Sequence, residues 1–185
     1  MCCIAGIYSK NKSLDELSSI AKNMANAISH RGPDASGLWQ KEHIALSHRR
    51  LSIIDLSDAG NQPMISDCGR YVIVFNGEIY NHISIRRELT NLNKYIKWFG
   101  KSDTEVLLKS IICWGIEKAL SKCEGMFAIA LWDKANQKLF LARDRFGEKP
   151  IYYGYVNKDF VFASELKSLK MHTDFNTYHH PTHGK

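Results

Sequence analysis

Cys2 stands directly behind Met1, and that one position could carry a reaction. Removal of the initiator methionine would leave a thiol and a free α-amine on the same residue. The amine titrates at about 7.7–8.0 and the thiol at about 8.5. A base that works near neutral pH would then sit beside a nucleophile already a few per cent thiolate. A lysine amine, at about 10.4, would stay protonated at pH 7. Taken alone, the position also fits an ordinary frayed N-terminus, so the residues downstream carry the decision.

The hydrophobic pattern shows what scaffold would hold such a residue in place. Residues 3–8 form an apolar run closed by a polar stretch at 9–13, the pattern of a buried strand. Side chains alternate across a strand, so Cys3 should face away from Cys2 and pack as a small hydrophobe. Ser13-Leu14-Asp15-Glu16 has the capping-box form. Leu14, Leu17, Ala21, Met24 and Ile28 then recur at helical spacing, which predicts a helix ending near His30, because Arg31-Gly32-Pro33-Asp34 cannot continue it.

Strand-like runs follow at 37–40, 44–54 and 71–75, with a turn-rich loop at 55–70 between the last two. Asn76-Gly77 behind a hydrophobic strand ordinarily marks a hairpin turn. Residues 82–89 read as a short helix capped by Asn81. Ser102-Asp103-Thr104-Glu105 is a second capping box and opens a helix that Gly115 interrupts or ends. The last third is strand-rich: 126–132, a turn at 133–137, a return at 138–143, and a hairpin joining 151–155 to 160–163. Strands outnumber helices, which points to an α+β layered domain with helices covering antiparallel sheets. From Met171 the periodicity is lost. Residues 171–185 are expected to be a disordered polar tail or the start of a connection, and His172, His179, His180 and His183 lack metal-ligand spacing.

Composition sets the outer bounds. A chain of 185 residues with 44% hydrophobic and 24% charged residues is one domain's worth of globular sequence. No apolar run approaches the ~20 residues of a membrane span, and residues 1–8 are too short for a secretory signal before Lys10 and Lys12 break them. Five cysteines, an odd number without ligand spacing, favour a reducing cytoplasm. The net charge of +6 is modest and the basic residues are scattered, so no nucleic-acid or membrane partner is expected.

The motifs, taken in order, resemble the glutaminase domain of the glutamine-hydrolysing asparagine synthetases, members of the class II (N-terminal nucleophile) glutamine amidotransferases. The matching strings are Met1-Cys2, His30-Arg31-Gly32-Pro33-Asp34, His48-Arg49-Arg50-Leu51-Ser52-Ile53 and Asn76-Gly77-Glu78-Ile79-Tyr80-Asn81. Ser102-Asp103-Thr104-Glu105, Gly125-Met126-Phe127-Ala128, Ala142-Arg143-Asp144-Arg145-Phe146-Gly147 and Phe162-Ala163-Ser164-Glu165 continue the series. The likeness spans residues 2–170 and implies an α+β fold, a four-layer αββα sandwich of two antiparallel sheets between helix layers.

It also implies a chemistry: the Cys2 thiolate attacks the side-chain amide of L-glutamine, the Cys2 α-amine shuttles the proton to ammonia, and water hydrolyses a γ-glutamyl thioester. By resemblance, the Asn76 side-chain amide and the Gly77 N–H bind the oxyanion, in place of a hairpin. Gly77 suits that task if a missing side chain lets backbone approach ligand. Arg50 is the implied clamp for the α-carboxylate, since a guanidinium fork matches a carboxylate. Asp103 and Glu78 are the implied partners of the α-ammonium, with helix capping a compatible role for Asp103. Leu51 and Ile53 would complete the pocket through their backbone, and Arg31–Asp34 would shape it.

Two departures stand out. Cys3 replaces a frequent glycine, and no stretch here resembles the family's ATP-dependent synthetase domain, so the chain is expected to be either a fragment or a stand-alone ammonia donor for a separate partner. No metal and no cofactor are expected for this domain, ATP and magnesium belonging to the missing one. The glycine-bearing turns at 31–34 and 145–149 lack the repeated small residues of a phosphate cradle. The implied partners are glutamine and a synthetase domain or subunit that accepts ammonia; the oligomeric state is open, a homodimer included. The alternatives are a glutaminase serving a different amidotransferase, such as amidophosphoribosyl or glucosamine-phosphate synthesis, or a catalytically silent binding module.

Overall fold

In the computed structural model, which describes residues 2–52 and 55–175, the strands are β1 (Cys3–Tyr8), β2 (Ala35–Lys41), β3 (Ile44–Arg50), β4 (Met64–Ile65), β5 (Tyr71–Ile79), β6 (Gly125–Asp133), β7 (Lys138–Arg143), β8 (Tyr152–Val156) and β9 (Asp159–Ala163). The helices are α1 (Leu14–Asn26), α2 (His82–Leu92), α3 (Asp103–Trp114), α4 (Ile116–Lys122) and α5 (Leu166–Leu169). One sheet has the order β2-β3-β1-β9-β8 and the other β4-β5-β6-β7, every pairing antiparallel.

Period-two alternation builds three apolar layers from these strands. Ala5 and Ile7 of β1 and Ala45 of β3 face α1, against Leu17, Ile20, Ala21 and Met24. Their neighbours Ile4, Ile44 and Leu46 face the other way, toward Val72 and Val74 of β5 and Ala128, Ala130 and Trp132 of β6. On the far side of the second sheet, Ile73, Phe75, Ile79, Ile129 and Leu131 pack on Ile85, Leu89, Val106, Leu107 and Ile111 of α2 and α3. The result is the four-layer αββα sandwich. Each fully buried Leu, Ile or Met in these layers contributes about 1.5–3 kcal/mol.

The caps show where local sequence prevails and where it yields. Around Ser13 both halves of the capping box form: Glu16 N–H donates to Ser13 Oγ at 3.3 Å and Ser13 N–H to Glu16 Oε2 at 2.8 Å. At Ser102 only half forms. Its Oγ accepts Glu105 N–H at 3.2 Å, but the Glu105 carboxylate turns away to the N–H groups of Phe99 and Gly100, at 2.8 and 3.0 Å. The Glu105 carboxylate is itself buried, and the two loop N–H groups satisfy both of its oxygens where the reciprocal cap bond would use one. Asn81 precedes α2 without capping it. Its side chain instead bonds Lys122 O at 2.9 Å and Glu124 N–H at 3.1 Å, tying α4 to the start of α2.

Other boundaries differ as well. α1 stops at Asn26 and a 3-10 turn at Ser29–Arg31 covers the expected last turn. β3 ends at Arg50, and Ile53 lies outside the described residues. Gly115 ends α3, but α4 follows at once. β5 runs straight through Asn76 and Gly77, which pair with Ala128 and Phe127. Residues 171–175, assigned above to a polar tail, are packed on the body. His172 Nε2 lies 3.1 Å from Asp159 Oδ2, Asp174 N–H donates to His172 Nδ1 at 3.1 Å, and Lys12 pairs with Asp159 and Asp174. Residues 176–185 fall outside the described residues. Among the described residues no helix is long and apolar enough to cross a membrane.

Candidate active site

The layer between the sheets is apolar along most of its length and turns polar at one end. On β1 the inward face that carries Ile4 continues, two residues back, to Cys2. On β3 the face of Ile44 and Leu46 continues to His48 and Arg50. On β5 that of Val72 and Val74 continues to Asn76 and Glu78. The antiparallel pairing of Cys3 with Arg49 puts the start of β1 beside the end of β3. Cys2, Arg50, Leu51, Asn76, Gly77, Glu78 and Asp103 therefore line one cavity, and of the site residues expected from sequence only Ile53 cannot be placed.

Cys2 Sγ faces this cavity. The Leu51 N–H donates to it at 3.3 Å, and the Leu51 carbonyl lies 3.4 Å away. Both backbone groups of Leu51, expected to meet substrate, are thus on the sulfur. Burial pushes the Cys2 thiol above its ordinary value, against the Leu51 N–H and the nearby Arg50 charge, which pull it down. Cys3 points the opposite way, as alternation requires: it is buried, its Sγ lies 3.3 Å from Ile28 O, and burial pushes its thiol up to about 12. All five cysteines are free thiols. Ser164 holds the strand behind the nucleophile, accepting Ile4 N–H on its Oγ at 2.9 Å.

Asn76 is 1% exposed, and its Nδ2 is a buried side-chain nitrogen without a partner among the described residues. An amide donor left unpaired costs about 1–3 kcal/mol, so it persists where something else takes the hydrogen bond. The Gly77 N–H lies on the open edge of β5. Alternate residues of a strand present their backbone to the same side, and on this edge Phe75 N–H goes to Gln62 Oε1 at 2.6 Å and Ile79 N–H to Asp103 Oδ2 at 3.0 Å. Gly77 lies between them with its N–H toward the cavity. The reason for glycine differs from the expected one: a Cβ at 77 would lie 2.2 Å from Met126 O, so the missing side chain admits the neighbouring strand, not a ligand.

The two charged ends of the site are built differently. Arg50, 7% exposed, is gripped by the loop beyond β3: Nη1 donates to Ser57 O at 3.0 Å and Asn61 Oδ1 at 2.7 Å, and Nη2 to Asp55 O. Among the described residues no carboxylate pairs with it, and its Nε–H and second Nη2 hydrogen remain available. Arg49, on the opposite strand face, bonds Asn26 of α1. The Asp55 carboxylate organises the loop by accepting from Ser57 and from Lys101 N–H, and these bonds hold its pKa at about 2. Asp103, 5% exposed, takes Ile79 N–H on one oxygen and Thr104 N–H on the other at 2.8 Å. Burial raises its pKa against those two donors. Ser102 is the helix cap, so Asp103 is spared to join α3 to β5. Glu78 stands exposed at the rim.

Sequence reasoning passed over several lining residues. Gln62, Asp55 and Lys149 come from loops with no periodic signal; Lys149 is delivered by a turn that Asp144 nucleates, accepting the N–H groups of Phe127, Glu148 and Lys149. His48 lay inside a quoted motif but was given no role. It bonds Phe75 O at 3.2 Å across the two sheets, directly behind the cavity. Asp34, in the turn expected to shape the site, accepts Ser52 N–H at 2.8 Å beside Leu51.

Comparisons with known proteins show the family and the fold. A family model described as a glutamine amidotransferase domain matches residues 1–182. The chain is 44% identical over 172 residues to the glutamine-hydrolysing asparagine synthetase 1 of Bacillus subtilis, covering 91% of this chain and 26% of that relative. It is 38% identical over 170 residues to asparagine synthetase B of Escherichia coli, covering 91% of this chain and 30% of that relative. The chain thus spans under a third of these relatives' length. Among solved structures, a glutamine phosphoribosylpyrophosphate amidotransferase from B. subtilis superposes with a TM-score of 0.77 at 20% identity, covering 91% of this chain and 43% of that one, a likeness of fold.

Proposed function

Because this chain belongs to the glutamine amidotransferase domain family, we propose that it hydrolyses L-glutamine to glutamate and ammonia through Cys2, with Met1 removed. The observation that carries this reading is the convergence of Cys2 Sγ, the unpartnered Asn76 Nδ2 and the open-edge Gly77 N–H on one cavity. Glutamine lies with its α-carboxylate on the free edge of Arg50 and its α-ammonium toward Asp103 and Glu78. The Cys2 α-amine takes the thiol proton and sulfur attacks the amide carbon. Negative charge grows on the amide oxygen, where Asn76 Nδ2 and Gly77 N–H receive it without reorganisation. The intermediate collapses, the C–N bond breaks, and the Cys2 ammonium protonates the leaving nitrogen. A γ-glutamyl thioester remains. Water, deprotonated by the same amine, cleaves it to glutamate and restores the thiol.

These steps use this chain's own groups and call for no cofactor. The similarity to asparagine synthetases supports an ammonia acceptor of that type, carried on a separate domain or subunit where ATP and magnesium act. Five free thiols fit a reducing, cytoplasmic setting. The test is to give the purified chain, with its N-terminus defined by mass spectrometry, glutamine, aspartate, ATP and magnesium. Glutamate, ammonia and a γ-glutamyl adduct on Cys2 are expected, with ATP unconsumed. Absence of glutamate from chain that begins at Cys2 would overturn the reading.

A further inference from the structure

Gln62 is buried, lines the cavity, and has no part in the steps above. Its backbone is seated on the first sheet. A Cβ on Gly37 of β2 would lie 1.8 Å from the Gln62 carbonyl oxygen, so only a glycine there admits the approach. Its side chain reaches the second sheet and α3. Oε1 accepts Phe75 N–H at 2.6 Å, and Nε2 donates to Thr104 Oγ1 at 3.2 Å. One amide group thereby joins both sheets and a helix start at the edge of the site.

What lies on either side gives the position its meaning. β4 covers only Val72 and Ile73, so farther along this edge of β5 the N–H groups must find other partners. Gln62 holds the one at Phe75 and Asp103 the one at Ile79, leaving Gly77 between. Thr104 follows Asp103 at the start of α3. Phe75, Gln62, Thr104, Asp103 and Ile79 therefore close a ring around the Gly77 N–H. We propose that Gln62 is a positioning residue that fixes the separation between the Gly77 donor and the Asp103 carboxylate. It would thereby set how the reacting amide of glutamine and its α-ammonium can be held at once. This rests on the glutaminase reading.

The two ends of the ring have different kinetic signatures, since an oxyanion donor acts in the transition state and an ammonium partner already in the ground state. Rates are referred to active sites titrated with a γ-electrophilic glutamine analogue that alkylates Cys2, so that misfolded molecules drop out. Gln62→Leu removes both bonds and should lower kcat by ~10- to 100-fold, part of the ~10²–10³ typical of losing an oxyanion donor outright. Gln62→Glu keeps two acceptors, one for Phe75 N–H and one for the Thr104 hydroxyl, and should restore kcat to within about threefold of the parent. Thr104→Val frees only the helix end, so KM should rise more than kcat falls. Amide hydrogen exchange should quicken at 75–79 in Gln62→Leu while β1 and β3 keep their protection. Parental kcat and KM in Gln62→Leu, or a Gln62→Glu enzyme as impaired as Gln62→Leu, would overturn the proposal. Should the parental chain itself fail to hydrolyse glutamine, the glutaminase reading falls, and unchanged exchange at 75–79 in Gln62→Leu would then remove the brace as well.

Discussion

Acidification should destabilise this protein through His48 before its hydrogen-bonded carboxylates titrate. The ring is fully buried between the sheets, Nε2–H donates to Phe75 O, and Nδ1 has no partner among the described residues. A second proton would place a cation in the dry layer beside Arg50. Burial foremost, and Arg50 with it, pull the His48 pKa from 6.5 down to about 4, although the Phe75 carbonyl raises it. In the unfolded chain the imidazole charges below about 6.5, whereas in the folded chain it stays neutral until about 4. The unfolded state binds more protons across that window, so stability is lost as pH falls through it. At about 1.4 kcal/mol per pH unit, the full window is worth about 3 kcal/mol, against the roughly 5–15 kcal/mol that holds a domain folded.

Two neighbouring effects can be separated from it. Burial raises the Asp103 pKa, so that carboxyl contributes stability as pH falls toward the ordinary carboxylate range and opposes His48. Asp55 and Asp133 are held at about 2 by their hydrogen bonds, and what they contribute is lost only below about 3.8. Urea titrations of the parent and of His48→Gln, at intervals from pH 7 to pH 4.5, isolate the histidine. Glutamine can donate to Phe75 O and carries no charge. The stability difference between the two proteins should shift against the parent by about 2.5 kcal/mol over that range. Parallel curves would refute the argument and mean that His48 is already solvated.

Cys2→Ala should abolish hydrolysis and the γ-glutamyl adduct, while Cys3→Ala, on the opposite strand face, should keep most of the activity; equal loss in a kinetic assay would contradict the assigned faces. Asn76→Ala should lower kcat by ~10²–10³ with a much smaller change in KM, and an effect confined to KM would remove Asn76 from the oxyanion role. Arg50→Ala should raise KM steeply, by the equivalent of about 2–5 kcal/mol for a truncated buried charge partner. Arg49→Ala should disturb chiefly the contact with Asn26, visible as a lower melting temperature at near-parental KM.

Much of this fold is local and therefore readable from the chain. β1 begins and ends where its apolar run does, Ser13 and Glu16 cap α1 reciprocally, and alternation alone separates Cys2 from Cys3 and Arg50 from Arg49, because strand periodicity is a property of the backbone. The motif strings hold Cys2 and most of the residues that line the cavity with it, but not Asp55, Gly60, Gln62, Phe75 or Lys149. Tertiary structure decided the rest. Ser102 and Glu105 spell a capping box, but loop N–H groups at Phe99 and Gly100 claim the buried carboxylate. Asn76-Gly77 spells a hairpin, but a facing strand from Gly125 to Asp133 extends β5 through it. Gln62, Asp55, Lys149 and the charge state of His48 had no local signature. Their roles depend on which strand ends meet when two sheets stack and on which polar groups are thereby cut off from water. Which faces are apolar and which side chains are reactive can be read along the chain; that Cys2, Asn76 and Asp103 open onto one cavity follows from the stacking of the sheets, because burial and hydrogen-bond demand belong to the assembled layers.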